Sequence, residues 1–122
     1  MKKKIQTLQR KIESIKEKLL AIGDLRPGSL SEQYNVCGNP NCRCKANPPQ
    51  KHGPYHQLSW SRNRKSKTRF VKKPQLPLVR EQMKNYERFQ TLLNEWIDAS
   101  IELCDLKVKM AAEEIANREK SS

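Results

Sequence analysis

The chain has 122 residues, which is enough for one domain with a modest core, and 35% of them are hydrophobic. It carries 25 Lys and Arg against 13 Asp and Glu, and the formal net charge of +12 favours a polyanionic partner over an acidic small molecule. The N-terminal lysines are not followed by the apolar run of a signal peptide, and no eighteen consecutive residues are apolar. We therefore expect a soluble, cytoplasmic protein with no membrane partner.

The first predicted element is an N-terminal coiled-coil helix within residues 1–23. Gly23 predicts a left-handed stop for this helix, and Arg26-Pro27-Gly28 predicts a turn after it. The apolar residues recur at alternating spacings of three and four, as the a and d positions of a heptad repeat do: Ile5, Leu8, Ile12, Ile15, Leu19 and Ile22.

A cysteine cluster follows in a segment rich in Gly, Asn and Pro. Cys37, Cys42 and Cys44 lie within eight residues, and cysteines this close in a reducing cytosol favour metal binding over disulfides. Tetrahedral Zn²⁺ needs a fourth ligand, for which His52 is the nearest candidate and His56 lies four residues further on. A structural Cys3His zinc site is the leading interpretation, and ordinary reduced cysteines in a loop are the alternative.

Residues 24–76 are predicted to form a zinc-binding basic β module. Between residues 33 and 80 there are eleven Lys and Arg and no Asp or Glu, so no local carboxylate is available as a general base and we expect no enzyme activity. Alternating runs predict strands at residues 55–61 and 66–73, joined by a turn at 62–65. Residues 30–36 are expected to add a third strand, although Ser29 and Glu32 could instead cap a short helix.

The middle of the chain also has the composition of a nucleic-acid-binding surface. It combines aromatic rings, which can stack on bases, with positive charges, which can contact phosphates. The alternative is that the aromatic residues form a small core and the lysines are merely solvated. The residues predicted to bind DNA or RNA are Arg43, Lys45, Trp60, Arg62, Arg64, Lys65, Lys67, Arg69, Lys72 and Lys73.

A long second helix is predicted at residues 77–117, followed by a tail at 118–122. Pro77 suits the first turn of a helix, and no Gly or Pro interrupts the segment that follows. Its apolar residues form a broad face in which Cys104 is expected to be a core residue. The helix should span roughly 60 Å, about twice the length of the first, so we expect a second copy of the chain to cover the remainder.

Four short runs of residues resemble a bacterial and archaeal family of short uncharacterised proteins, over about residues 26–105. The runs are Gly28-Ser29-Leu30, Cys37-Gly38-Asn39-Pro40-Asn41-Cys42-Arg43-Cys44, His52-Gly53-Pro54-Tyr55 and Leu58-Ser59-Trp60. The resemblance implies His52, rather than His56, as the fourth zinc ligand. Members of that family often occur beside transposases and other mobile elements, which implies a DNA-binding accessory role and a transposase or other mobile-element protein as partner.

The expected fold is α+β, with a small zinc-stapled antiparallel hairpin or three-stranded module between an N-terminal helix and a long C-terminal helix, in one integrated domain. The expected function is zinc-stabilised nucleic-acid binding. The rival function is a protein-interaction or oligomerisation module whose helices form a dimeric coiled coil and whose basic middle docks on an acidic protein.

Overall fold

The computed structural model of the protein describes residues 1–35, 39–46 and 50–121. It has two helices, α1 (Lys2–Leu20) and α2 (Leu76–Ser121), and three strands, β1 (Ser29–Asn35), β2 (His52–Arg62) and β3 (Lys65–Val71). Two single 3-10 turns lie at Arg43–Lys45 and Lys73–Gln75. The predicted α+β order of an N-terminal helix, an antiparallel sheet and a long C-terminal helix is confirmed. The third strand, predicted at residues 30–36, is β1 (Ser29–Asn35) rather than a short helix, and Val36 lies outside the described residues.

The chain divides into two units, each with its own set of internal contacts. One unit, which we call the helical unit, consists of Met1–Gly23 and Glu87–Ser122. The other, which we call the sheet unit, is Asp24–Tyr86 and includes the first turns of α2. Each unit has its own hydrophobic cluster.

In the helical unit, α1 packs on α2 through the predicted heptad residues. Leu8 and Ile12 form a buried cluster with Ala99 of α2. Lys4 Nζ lies 2.9 Å from Glu102 Oε1. The earlier residue of α1 thus contacts the later residue of α2, since Leu8 and Ile12 pack on Ala99. The two segments are therefore antiparallel. Partly buried apolar side chains surround the cluster: Trp96, Leu103 and Leu106.

The end of α1 differs from the prediction. The helix closes on Ala21, which has right-handed helical dihedral angles, and the amide of Ile22 donates to the Leu19 carbonyl at 3.2 Å. Among the glycines that the structure describes, the positive φ angles belong to Gly28 and Gly53. The predicted left-handed stop at Gly23 is therefore wrong, because a 3-10 type hydrogen bond ends the helix without it.

The sheet is antiparallel with the strand order β1-β2-β3. Strands β2 and β3 are joined by a two-residue turn, Asn63-Arg64, in which both residues have positive φ angles of 52° and 64°. This is the turn geometry that matches the right-handed twist of a hairpin. The turn is two residues shorter than the predicted connection, because Arg62 and Lys65 still pair across the hairpin.

Side-chain alternation gives the sheet two chemically different faces. On the helix-side face, Leu58 is fully buried and clusters with Val71 of β3 and with Leu76 and Val79 of α2. The cross-strand register also places on this face Leu30, Glu32, His56, Trp60, Arg62, Lys65, Lys67 and Arg69. The opposite face, which we call the open face, carries Ser29, Ser31, Gln33, Tyr55, Gln57, Ser59, Ser61, Ser66, Thr68 and Phe70.

Helix α2 leaves one of its apolar rows exposed. The row that contacts α1 contains Trp96, Ala99 and Leu103, whereas Cys104 lies on the neighbouring row and is exposed. The expectation that Cys104 is a core residue is therefore wrong. Within the described ranges, neither helix is long and apolar enough to cross a membrane. The exposed row consists of Ile97, Ile101, Cys104, Val108 and Ile115.

Candidate metal centre and basic hairpin

Three of the four predicted metal ligands lie together at one end of the sheet. The sulfur atoms of Cys42 and Cys44 and an imidazole nitrogen of His52 are all within 4.8 Å of one another. Cys42 Sγ is 3.0 Å from His52 Nε2. Cys44 is buried with 1% of its surface exposed, while Cys42 and His52 are half-buried. The group could hold a metal ion.

The segment that carries the two cysteines is a pair of consecutive tight turns. The amide of Cys42 donates to the Asn39 carbonyl at 3.2 Å, and the amide of Asn41 donates to Asn39 Oδ1 at 3.0 Å. The amide of Lys45 then donates to the Cys42 carbonyl at 3.0 Å, which closes the 3-10 turn. Asn at the first position favours such a turn because its side chain mimics a backbone acceptor. These bends turn both cysteine side chains to one side.

The sheet holds the histidine ligand. His52 is the first residue of β2 and pairs with Asn35, the last residue of β1. The residues just before β2 are hydrogen-bonded to the cysteine segment, because the amide of Gln50 donates to the Arg43 carbonyl at 3.0 Å. A metal bound here would therefore link the cysteine turns to the end of the β1–β2 strand pair.

The donor types suit zinc, and their separation is near that of a tetrahedral site. With Zn–S bonds of about 2.3 Å and Zn–N bonds of about 2.0 Å, tetrahedral ligand atoms lie about 3.5–3.8 Å apart. The 4.8 Å limit includes that range, and the 3.0 Å contact between Cys42 and His52 is shorter by about half an ångström. Two thiolates with an imidazole are ligands that zinc prefers over magnesium or calcium.

Two further residues, Cys37 and His56, were ligand candidates from the sequence. Cys37, the third predicted cysteine ligand, lies outside the described residues. His56 is absent from the metal-binding group found among the described residues, and it is buried on the helix-side face of the sheet. There its Nε2 is 3.7 Å from Glu32 Oε1, across the strand pair β1–β2. The geometry thus brings His52, and not His56, to the two described cysteines.

Gly53 allows β1 to approach the histidine ligand closely. Its φ angle is +133°, in the region that side chains rarely adopt. A Cβ atom at this position would lie 2.7 Å from the Gln33 carbonyl oxygen and 3.1 Å from Tyr34 Cδ1. No other residue type fits without moving the backbone beside His52.

The predicted nucleic-acid contacts fall in three places in the sheet unit. Arg43 and Lys45 belong to the 3-10 turn that carries Cys44, so they flank one of the possible metal ligands. Every basic residue in the set is exposed. Along the hairpin, Arg62, Lys65, Lys67 and Arg69 lie on the helix-side face and Arg64 lies in the turn, while Lys72 and Lys73 follow β3.

Trp60 differs from the basic residues because it has partners within the sheet unit. The Arg26 guanidinium carbon lies 4.9 Å from the centre of the Trp60 ring, and that of Arg69 lies 5.7 Å from it. Both distances are in the range of cation–π contacts. The ring is half-buried and packs against the Leu58 cluster. It therefore anchors two arginine side chains in the half of the hairpin nearer the turn.

The comparison with protein families identifies the chain. The model of a family described as Domain of unknown function (DUF6788) matches residues 5–81. The chain belongs to the DUF6788 family. No curated protein and no solved structure is significantly similar to it.

The DUF6788 match covers the metal-binding group, all three strands and most of α1. It ends at Glu81, in the second turn of α2, so the exposed apolar row of α2 lies beyond it. The family match thus includes the whole constellation of cysteines, histidine and basic hairpin, and leaves out the part of α2 that packs on α1.

The sequence predicted the aromatic residues of the hairpin together as a stacking surface, but the set of predicted nucleic-acid contacts includes only Trp60 among them. Tyr55 and Phe70 lie on the open face, opposite Trp60, with 44% and 65% of their surfaces exposed. The contact between Arg26 and Trp60 was not predicted, because Arg26 lies before β1 in a segment predicted only as a turn. The alternation of side chains across a known register separates Tyr55 and Phe70 from Trp60.

Proposed function

We propose that the protein binds nucleic acid without catalysing a reaction, and that a structural zinc ion supports its basic sheet unit. The observation that carries the proposal is the uneven distribution of charge. Residues 24–86 contain thirteen Lys and Arg and three Asp and Glu, so this unit holds a net +10 of the total of +12. A surface of this kind attracts phosphates chiefly through release of their counterions.

The zinc part of the proposal rests on the Cys42, Cys44 and His52 group, with Cys37 as the remaining expected ligand. A site closed by four protein ligands has no open position for water or substrate, so its zinc would be structural. The ion would hold the cysteine turns, with Arg43 and Lys45, against the first residue of β2. In this way the metal would position charge without touching the nucleic acid.

The biological setting is proposed from the family resemblance. The cysteine and His-Gly-Pro-Tyr motifs resemble a family whose members often occur beside transposases, so we propose an accessory role on DNA for a mobile element. A transposase or another protein of that element would be the partner. Binding of the same basic surface to an acidic protein is the rival that the next experiment separates.

The salt dependence of binding tests the nucleic-acid proposal. For duplex DNA, the logarithm of affinity should fall with the logarithm of salt concentration by about 0.9 per phosphate contacted, so five or six contacts give a slope near −5. Replacing Arg62, Arg64 and Lys65 with Ala should reduce the size of the slope by about 2 to 3. Fluorescence anisotropy with a labelled duplex, titrated at several salt concentrations, measures both slopes.

A matched control removes the same number of charges elsewhere. Arg10, Lys11 and Lys18 are exposed on α1, and their replacement with Ala should leave the slope nearly unchanged. If the wild type shifts neither DNA nor RNA at low salt but retains an acidic protein, the nucleic-acid proposal is wrong and the rival is selected.

The exposed row of α2 favours self-association as a second function. It extends from Ile97 to Ile115, and Leu93, Trp96, Ile97 and Ile101 line a groove of about 530 Å³ beside Cys104. Its spacing of four, three and four residues matches a heptad seam that spans more than two repeats. We propose that a second copy of the chain packs its own α2 against this row.

One substitution tests the homodimer. Ile101→Asp places a charge in the middle of the row, so a dimer observed for the wild type by native mass spectrometry should become a monomer. Leu78→Asp is the matched control, because Leu78 and Ile101 are both 57% exposed on α2 and Leu78 lies outside the row. A wild-type monomer at high micromolar concentration would contradict the homodimer.

A further inference from the structure

The open face of the sheet has a composition that the folding of the sheet unit does not require. Its ten residues are five serines, one threonine, two glutamines and two aromatic residues, and none of them is charged. The hydrophobic cluster of the sheet unit lies on the other face, around Leu58. An exposed apolar patch that polar residues surround is typical of an interaction site.

The two rings lie close to each other at one end of the open face. Phe70 pairs with Gln57 across β2–β3, and Tyr55 is two residues before Gln57 on the same face. Tyr55 and Phe70 are thus diagonal neighbours, a relation in which aromatic side chains reach each other. Both line one recess of about 470 Å³.

The same recess carries positive charge. Lys72 and Lys73, which follow β3, line it together with Pro54, and both lysines are exposed. The titratable group that also borders it is His56, whose ring is paired with Glu32 on the helix-side face. Aromatic rings with adjacent lysines form the combination that binds single strands, because rings stack on bases while ammonium groups neutralise phosphates.

We propose that the open face binds single-stranded nucleic acid, with Phe70 and Tyr55 stacking on unpaired bases and Lys72 and Lys73 contacting the phosphates. This inference rests on the proposed function and names its substrate class. Bases in a duplex are stacked on one another, so their faces are not accessible to protein rings, whereas single strands expose them. The hydroxyl and amide groups of the open face, such as Gln57 and Ser59, would then hydrogen-bond to base edges.

The rings of the two faces thus have different roles. The Trp60 ring holds Arg26 and Arg69 within the sheet unit. On the open face, the Phe70 and Tyr55 rings are exposed, so a base can reach them.

The test compares a labelled twelve-nucleotide oligothymidylate with a twelve-base-pair duplex, by fluorescence anisotropy at the same low salt concentration. Phe70→Leu and Tyr55→Leu should each weaken binding of the single strand by about 5- to 100-fold, the usual effect of removing one stacking ring. Binding of the duplex should change by less than about twofold. Two variants serve as controls and should keep wild-type affinity. Phe70→Tyr keeps a ring, and Leu78→Ala removes a similarly exposed apolar side chain away from the open face.

A second variant avoids any change in the strand itself. Replacing Lys72 and Lys73 with Gln should reduce the size of the salt slope for the single strand by about 1.4.

Unchanged single-strand affinity in both leucine variants, or an equal loss for single strand and duplex, overturns the inference and leaves the proposed function in place. A wild-type protein that binds neither probe overturns the proposed function itself.

Discussion

The two units of this chain contrast in charge and in what holds them together. The sheet unit has thirteen basic and three acidic residues, whereas the helical unit has twelve and ten. Helices α1 and α2 bury a heptad seam, but the sheet unit has a small cluster around Leu58 and a candidate metal centre. Dense positive charge destabilises a compact unit by repulsion. A bound metal should therefore stabilise the sheet unit, which we propose to bind phosphates, more than the helical unit.

The largest expected difference between the units follows removal of the metal. Metal binding in small zinc domains contributes on the order of 10 kcal/mol, which is comparable to the stability of a whole domain. Cys44→Ser, or a strong chelator, should therefore unfold the sheet unit while α1 and residues 87–121 stay helical. Hydrogen exchange resolved by peptide measures both units in one experiment.

The chain offers a matched control for the cysteine substitution. Cys104 is exposed on α2, so Cys104→Ser should keep one zinc per chain by native mass spectrometry. If Cys44→Ser keeps both its zinc stoichiometry and the exchange protection of β2, the structural zinc site is wrong.

A core substitution in the helical unit should produce the opposite pattern. Ile12 is buried against Leu8 and Ala99, and Ile12→Ala should cost about 2–5 kcal/mol in the free energy of unfolding of this unit. Denaturant titration followed by circular dichroism measures the loss. Zinc affinity should stay unchanged, and a parallel drop in zinc affinity would show that the two units do not behave separately.

A backbone substitution beside the metal centre should have a smaller effect. Gly53→Ala introduces a Cβ atom 2.7 Å from the Gln33 carbonyl oxygen at a φ of +133°, so it should cost about 1–3 kcal/mol and weaken zinc binding. Competition with a chromophoric chelator measures the affinity. Gly23→Ala, at a glycine without a positive φ, is the control and should leave zinc affinity unchanged.

The smallest effect is expected for an exposed ion pair of the helical unit. Lys4 Nζ and Glu102 Oε1 are 2.9 Å apart, but 63% and 47% of their side-chain surfaces are exposed. Solvent screens such a pair, so Lys4→Ala should change the unfolding free energy by less than about 0.5 kcal/mol. A loss above about 1 kcal/mol in denaturant titration would contradict this estimate.

The elements whose residues repeat regularly were predictable from the sequence. The heptad spacing from Ile5 to Ile15 predicted α1, and the alternation on both sides of Asn63 predicted the hairpin. The convergence of Cys42, Cys44 and His52 was also predictable, because short turns and one strand position bring them together. These features depend on local geometry, which spacing along the chain determines.

Features that depend on packing between distant residues were harder to predict. Cys104 belongs to an apolar row as regular as the one beside it, but α1 packs on the row of Ala99, so Cys104 is exposed. The register of the hairpin sorts Trp60 and Phe70 to opposite faces, and the packing of α2 on one face leaves Phe70 on the exposed one. A periodic pattern identifies a face but does not say which partner lies against it.

The connection between β1 and β2 contrasts with the turn between β2 and β3. β1 ends at Asn35 and β2 begins at His52, so sixteen residues separate the strands, whereas two residues join β2 to β3. Closing a sixteen-residue loop costs about 2.5 kcal/mol of chain entropy, apart from a constant. We expect the β2–β3 hairpin to form first on refolding and β1 to join when a metal shortens the loop, which pulsed hydrogen exchange after zinc addition can time.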